Sequence, residues 1–489
     1  MSGTAQSTNA VSTAKTSPAG KKLILPLIAF FACNIISGYN ETMMNISLPR
    51  VADAFSISLS LANWVVVGYT VVGATTILTA AAFLNKLGIR KVVTIALLCS
   101  MAGSAICFFS WDFPSLVVGR LFQAITMGLF FPSITAELMA LAPKGKAGTL
   151  IAINGSMVGV GMLIGPLISG LILTIFGIHE MFIPPFALSA AALIFSLKVL
   201  EDYLPRKSSR IDILSIVLAF IGLGAVVFGL SELTHYVLAA LISLGVGLIV
   251  IFLFVWRQRK LKTPLLDLSP FKFPRFTIGI ILVMVIMLAN ASISLLLPLY
   301  FEGSLGQTSF EAGMFLMAPI AIYATMTFFS GKIFDRFGYW PVASIGLLVG
   351  LIGFIGFAVF ADMRNAIVMT AIAAFTMSGV SFSYTPTKVT ELSVLPEVEE
   401  AYGSSINSTT VQVANSIAQS LFVGILSADV LNLTASGMAK VDAYASGFTH
   451  AILIAIIFIA CAFVLSLIFV RLLKSKKLPS IHIHHKDNQ

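Results

Sequence analysis

Fourteen stretches of this chain stay apolar for about the thickness of a bilayer, and that repetition limits the fold more than any other feature. A transmembrane helix needs about 20 consecutive apolar residues, and blocks of that size recur from 23–49 to 449–473. Composition agrees. Hydrophobic residues are 58% of the chain and charged residues 10%, against about 25% charged in soluble domains. An all-α polytopic membrane protein is expected. Its parts read as a polar tail (1–22), six helices (23–200), two extra helices with linkers (201–276), six more helices (277–473) and a second tail (474–489).

Orientation follows from charge, because Lys and Arg concentrate in cytoplasmic loops. With the N-terminus inside, all but four of the 30 basic residues fall in cytoplasmic segments; Arg50, Arg364 and Lys440 lie outside and Arg120 lies within a helix. Both termini are therefore expected in the cytoplasm. The same loops account for the net charge of +9, so nucleic acid is not an expected partner. The first tail is polar and rich in small residues, reads as disordered, and shows no cleavable signal. Cys33, Cys99, Cys107 and Cys461 all fall inside apolar blocks, which fits packing better than disulfides or metal ligands. The histidines of "IHIHHKDNQ" read as a solvated tail, and no metal site is assigned. With no phosphate-binding loop of the G-x-x-x-x-G-K-[ST] type, no enzymatic activity and no cofactor are expected; transport work would draw on an ion gradient.

Transporters are often built from repeated halves. "AAFLNKLGIRK" (81–91) follows the second helix and "GKIFDRFGYWP" (331–341) the tenth; Asn85 aligns with Asp335, Lys86 with Arg336 and Gly88 with Gly338. On these residues the chain resembles the major facilitator superfamily, specifically its fourteen-helix drug:proton antiporters. "GKIFDRFG" is similar to that superfamily's loop signature, "SLVVGRLFQAITMG" (115–128) to its fourth-helix motif, and "GSMVGVGMLIGPLISG" (155–170) to its fifth-helix antiporter motif. "ETMMNISLP" (41–49), "NWVVVGY" (63–69) and "LPLYFEGSLGQTSFEAG" (297–313) resemble further motifs of the fourteen-helix group. The resemblance implies two six-helix bundles with two additional central helices, in a bacterial inner membrane. There are departures. Asn85 and Ala81 stand where the family has Asp and Gly, Glu41 where it has Asp, and Glu302 where Gln is commoner.

A carboxylate at the bilayer centre costs about 2.5–3.5 kcal/mol on insertion scales, so Glu41 needs a reason. Asn34, Gly38, Glu41 and Asn45 recur at helical spacing. They form either a packing seam or a cavity-lining face, and intramembrane carboxylates favour the second. Counting from Pro49 and Pro114 at 1.5 Å per residue, Glu41 and Arg120 lie at similar depth, roughly 12 and 9 Å in. A direct or Gln123-mediated pair is expected, as a proton switch or a permanent ion pair. Asn34, Gly38, Asn45, Gln123, Met127 and Glu302 are assigned to a substrate cavity. Gly155, Gly159, Gly161 and Gly165, with Pro166, allow close helix approach or bending, and bulk at Gly159 and Gly165 is expected to be harmful. The resemblance implies an antiporter hinge there. It also implies a cytoplasmic gate at Asn85, Lys86, Gly88, Arg90, Gly331, Asp335, Arg336 and Gly338.

These features point to proton-coupled efflux of lipophilic compounds by a monomer embedded in lipid. A dedicated exporter of an endogenous or anionic metabolite is the first alternative, favoured by the scarcity of intramembrane acids. A non-transporting receptor or lipid-handling scaffold is the second, and the fifth-helix motif with the Glu41–Arg120 pair argues against it.

Overall fold

The computed structural model describes residues 21–141, 147–202, 212–232, 237–261 and 264–474; residues 1–20 and 475–489 of the expected tails, with the "IHIHHKDNQ" histidines, lie outside them, while Lys21, Lys22 and Lys474 belong to helices. With no water in the hydrocarbon to satisfy backbone groups, each span closes its hydrogen bonds within one helix. The N-terminal half runs α1 (Lys21–Thr42), α2 (Leu48–Ala54), α3 (Leu59–Ala62), α4 (Trp64–Leu87), α5 (Ile89–Phe108), α6 (Phe113–Leu141), α7 (Ala147–Ile175) and α8 (Ile183–Val199). The C-terminal half runs α11 (Pro274–Gly303), α12 (Ser309–Phe337), α13 (Tyr339–Phe360), α14 (Ala366–Ser393), α15 (Glu397–Ala435) and α16 (Lys440–Lys474). Between them lie α9 (Ile213–Ser231) and α10 (Val237–Lys260). Fourteen helices among the described residues are long and apolar enough to cross a membrane, α3 and α4 sharing one span.

One expected element is corrected. The apolar block 23–49 is not a single helix: α1 stops at Thr42, a turn follows, and α2 starts at Leu48 with Pro49 in its first turn. Proline lacks an N–H and is tolerated at a helix start, where that donor has no partner anyway. Asn45 therefore sits in the turn and not on the α1 stripe.

The loop repeat reappears as backbone geometry. Gly88 and Gly338 cap α4 and α12 with φ of +80° and +77°, each donating its N–H to the residue four back, Leu84 and Phe334. Only glycine takes this conformation at no steric cost. The two extra helices pack on each other through close contacts at Gly222, Gly229 and Gly247, as small residues allow in membranes. Arg257 on α10 grips Asp212, at the start of α9, through two 2.8 Å bonds, and those bonds hold the carboxyl down to about 2. α9 also meets both halves: Ser231 bonds Ser60 at 3.1 Å and lies under Gly424 of α15.

The end of the bundle without most of the basic residues is closed between halves. A methyl at Gly313 on α12 would lie 2.8 Å from the Pro166 carbonyl oxygen on α7, and one at Gly170 would lie 3.2 Å from the Phe310 Cα. Gln419 on α15 receives Asn63 Nδ2 on its carbonyl at 2.8 Å and Thr70 Oγ1 on its side chain at 2.9 Å. Toward the basic end, Gly155 and Gly159 of α7 and Gly331 of α12 have open space where a side chain would go.

Candidate functional site in the membrane

Because α1 ends at Thr42, some of its last carbonyls lose their helical partners. The Tyr39 carbonyl keeps its ordinary i+4 donor, Met43 N–H, while the Thr42 carbonyl takes Asn45 N–H three residues on. The Asn40 carbonyl accepts from Arg120 Nη2 at 3.0 Å. Arg120, fully buried, also donates to the Val65 carbonyl at 3.1 Å and to Gln123 Oε1 at 2.7 Å. Its guanidinium lies 4.3 Å from the Tyr69 ring centroid. A cation at a helix C-terminus meets the negative end of the helix dipole, so Arg120 acts as a side-chain cap that fixes where α1 stops.

This overturns the expected direct Glu41–Arg120 pair. The guanidinium's donors go to the Asn40 and Val65 carbonyls and to Gln123, and no ion pair among the described residues joins it to Glu41; the two charges instead both border the Tyr69 phenol. Glu41 stays partly exposed and faces the Gln412 amide on α15, across the cleft. It is a carboxylate at the meeting of the two halves, beside a neutral donor.

Most of the other expected cavity residues are sealed within the N-terminal half. Asn34 donates to Asn154 Oδ1 at 2.5 Å, with both residues buried. Gly38 is a helix crossing, since a methyl there would lie 2.9 Å from the Met162 nitrogen on α7. Gln123 braces Arg120 and donates to Ser104 Oγ at 2.8 Å. Met127 packs against Gly73 of α4. Glu302 lies at the closed far end, facing Ser309, Arg50 and Asp53.

The α7 glycines divide into two groups. Added methyls would lie 2.8 Å from the Tyr39 nitrogen at Gly161, and 3.1 Å from the Tyr39 carbonyl oxygen at Gly165. Thr42 Oγ1 reinforces this crossing by donating to the Met162 carbonyl at 3.1 Å. A methyl at Gly155 or Gly159 would meet nothing within 4 Å outside its own helix turn, which corrects the expectation that Gly159 is a tight packing point. Pro166 carries the contact with α12 described above.

At the basic end, the first loop is clasped from its own half. Arg90 N–H donates to Asp202 Oδ1 at 3.2 Å and Arg90 Nη2 to the Leu197 carbonyl at 2.8 Å, while Asp202 also presses on Gly88. Asn85 and Lys86 are exposed. In the second loop Arg336 is exposed and lies over the Phe337 ring, a methyl at Gly338 or Gly331 would meet nothing within 4 Å, and the Asp335 side chain lies outside the described residues.

Sequence reasoning missed two fully buried acids, Glu137 and Glu391. The Glu391 carboxyl accepts from Asn407 on α15, while neither Glu137 oxygen has a partner. The signal was present as a second repeat: "PSITAEL" from Pro132 and "PTKVTEL" from Pro386. Shifted by one residue, that register sets "ING" at Asn154 against "INS" at Asn407. Counting back from Leu48-Pro49 and Leu297-Pro298, it sets Glu41 against Asn290, whose Oδ1 is buried without a partner.

Comparison with known proteins fits this geometry. Residues 30–419 match the family model described as Major Facilitator Superfamily. A lincomycin resistance protein, LmrB, of Listeria monocytogenes is 30% identical over 91% of this chain and 97% of its own length. The methylenomycin A resistance protein of Bacillus subtilis is 25% identical over 69% of this chain and 72% of its own. Among solved structures, a bacterial homologue of the human lysosomal transporter Spinster, inward-facing and unoccupied, superposes with a TM-score of 0.68 at 12% identity, covering 93% of this chain and 98% of that one.

Proposed function

Since the chain belongs to the Major Facilitator Superfamily, a family of membrane transporters, we propose that it exports lipophilic drugs or toxic compounds across the bacterial cell membrane in exchange for protons. Relatives named for resistance to lincomycin and methylenomycin A support the efflux reading. The observation that carries the proton reading is Glu41: a partly exposed carboxylate at the end of α1, facing Gln412 of the other half and free of any cationic partner. Protonation removes the charge that makes burial of Glu41 costly. The neutral acid then tolerates closure of the cleft around it, and the anion favours an open, wetted cleft. One charge moved through 100 mV yields about 2.3 kcal/mol, comparable with the insertion cost of a carboxylate, so one titrating group suffices to bias the two states.

Arg120 is a positioning residue here. It holds the α1 terminus, and with it Glu41, at a fixed place while the halves rock. The closed far end and the open space at Gly155, Gly159 and Gly331 support a state loaded from the basic side, which charge distribution assigns to the cytoplasm.

Everted membrane vesicles energised by respiration and challenged with a compound panel test this reading. Addition of a transported compound is expected to dissipate the pH gradient in wild-type vesicles and not in Glu41→Gln vesicles of equal expression. Uphill export by Glu41→Gln at the wild-type rate would remove Glu41 from the mechanism.

A further inference from the structure

The C-terminal half carries one cation that the account above leaves unused. Lys388, which charge counting places with the basic end, stands inside α14, more than one turn from its last residue, Ser393. Tyr384, Lys388 and Glu391 follow at i, i+4 and i+7 and so share one helix face. That face points inward: Glu391 is fully buried, bonded to Asn407 of α15 and packed on Gly279 of α11. Exposed apolar residues such as Phe375 and Val389 mark a different side of α14.

Lys388 and Tyr384 are only partly covered, as is Tyr323 of α12, which lies beside Tyr384. The Lys388 Nζ lies 6.0 Å from the Tyr384 ring centroid. The ion pairs between described side chains join Arg257 to Asp212, Arg364 to Asp442 and His450 to Asp429, and none involves Lys388. The repeat supplies a control, because Ile134 and Phe130 of α6 occupy the positions of Lys388 and Tyr384. The scaffold needs no cation there.

A partly covered ammonium with a tyrosine ring on its own face and a second tyrosine beside that one suits an anion on an apolar body; the nearest carboxylate, Glu391 one turn on, is held by Asn407 and reaches Lys388 through its charge and not through a bonded ion pair. We propose that Lys388, Tyr384 and Tyr323 form an anion-recognising subsite, and that the transported compounds include amphipathic weak acids bearing a carboxylate, phosphate or phenolate beside an aromatic core. The assignment rests on the efflux reading for its transport meaning, but the binding itself is measurable without transport.

The test uses purified full-length protein in phosphatidylcholine nanodiscs and two dyes sharing a xanthene core, anionic carboxyfluorescein and cationic rhodamine 123, titrated by fluorescence anisotropy. Wild-type protein is expected to bind carboxyfluorescein. Lys388→Gln should weaken that binding at least tenfold while changing rhodamine 123 binding less than twofold, and Lys388→Arg should restore most of it. Carboxyfluorescein, unlike rhodamine 123, should also protect Lys388 of the wild-type protein from amine modification read by mass spectrometry, a measurement independent of how any variant folds. Equal effects of Lys388→Gln on both dyes, or no protection by the anion, would overturn the subsite. Loss of carboxyfluorescein binding when phosphatidylglycerol is added would assign the site to a lipid headgroup and overturn the substrate claim. Export failing for every compound while anion binding and protection persist would count against the efflux reading and leave the subsite standing.

Discussion

The two six-helix halves share a scaffold and differ in chemistry. Their likeness lies in residues that shape backbone: Gly88 and Gly338 at matching loop turns, Pro132 and Pro386 within α6 and α14, and Ser58 and Thr308 as side-chain caps of α3 and α12. The difference lies in charge. Glu41 stands opposite Asn290, Arg120 opposite Ala374, and Lys388 opposite Ile134. The first basic-end loop is clasped by Asp202, and the second has open space around its glycines. Some charge is kept in both halves, at Glu137 and Glu391 and at the loop cations Lys86 and Arg336, so the places where the repeat breaks in charge are the places to look for what the halves do differently.

That comparison is broken most severely at Arg120. Replacing it with Ala should strand the Asn40 carbonyl and Gln123 without their donor, at about 1–3 kcal/mol for each buried acceptor left unsatisfied. Lowered thermal stability in detergent and absent export should be seen together. Arg120→Lys should recover only part of both, because a lysine cannot supply the planar fork of donors. Ala374 has no comparable task, and Ala374→Ser should leave stability within about 0.5 kcal/mol of wild type.

Next in size is the α1–α7 crossing. Gly165→Leu should abolish export or convert it to proton leak, because backbone lies against that position. Gly159→Leu should bind substrate normally in the conformation described. Export rates and passive proton flux in proteoliposomes check both. Equal damage at the two positions would mean that Gly159 is packed in the other state of the cycle.

A smaller effect separates the loops. Alanine at either loop glycine must take a left-handed backbone, costing about 1–2 kcal/mol. Gly88→Ala should exceed Gly338→Ala, because only the former also collides with Asp202. Paired thermal melts would read the difference, and equal shifts would show that the Asp202 clasp yields.

Much of the fold is legible in the sequence because a bilayer admits few solutions: length of apolar run gives the spans, and a loop glycine marks its own turn. The α1 boundary is not legible. An apolar run continuing to Pro49 hides a helix that stops at Thr42, and depth counted along that run puts Glu41 and Arg120 at one level without saying which way either side chain points. The arginine and its Gln123 partner are marked by their rarity in an apolar run, but its other two partners are backbone carbonyls, which carry no residue signature. Glu137, Glu391 and Lys388 were overlooked for another reason. They sit near helix ends, where charges usually belong to loops, and only the second repeat from Pro132 and Pro386 marks them as internal.

The central claim is that Glu41, placed by Arg120 and not paired with it, is the group that exchanges a proton for substrate. Proton release from purified protein in weakly buffered detergent, followed with a pH dye as a transported compound is added, tests it most directly. Wild-type protein should release protons on binding, while Glu41→Gln should bind the compound, release none, and remain within about 1 kcal/mol of wild-type stability, since no ion pair is lost. Undiminished proton release from Glu41→Gln, or its collapse in stability, would contradict the account.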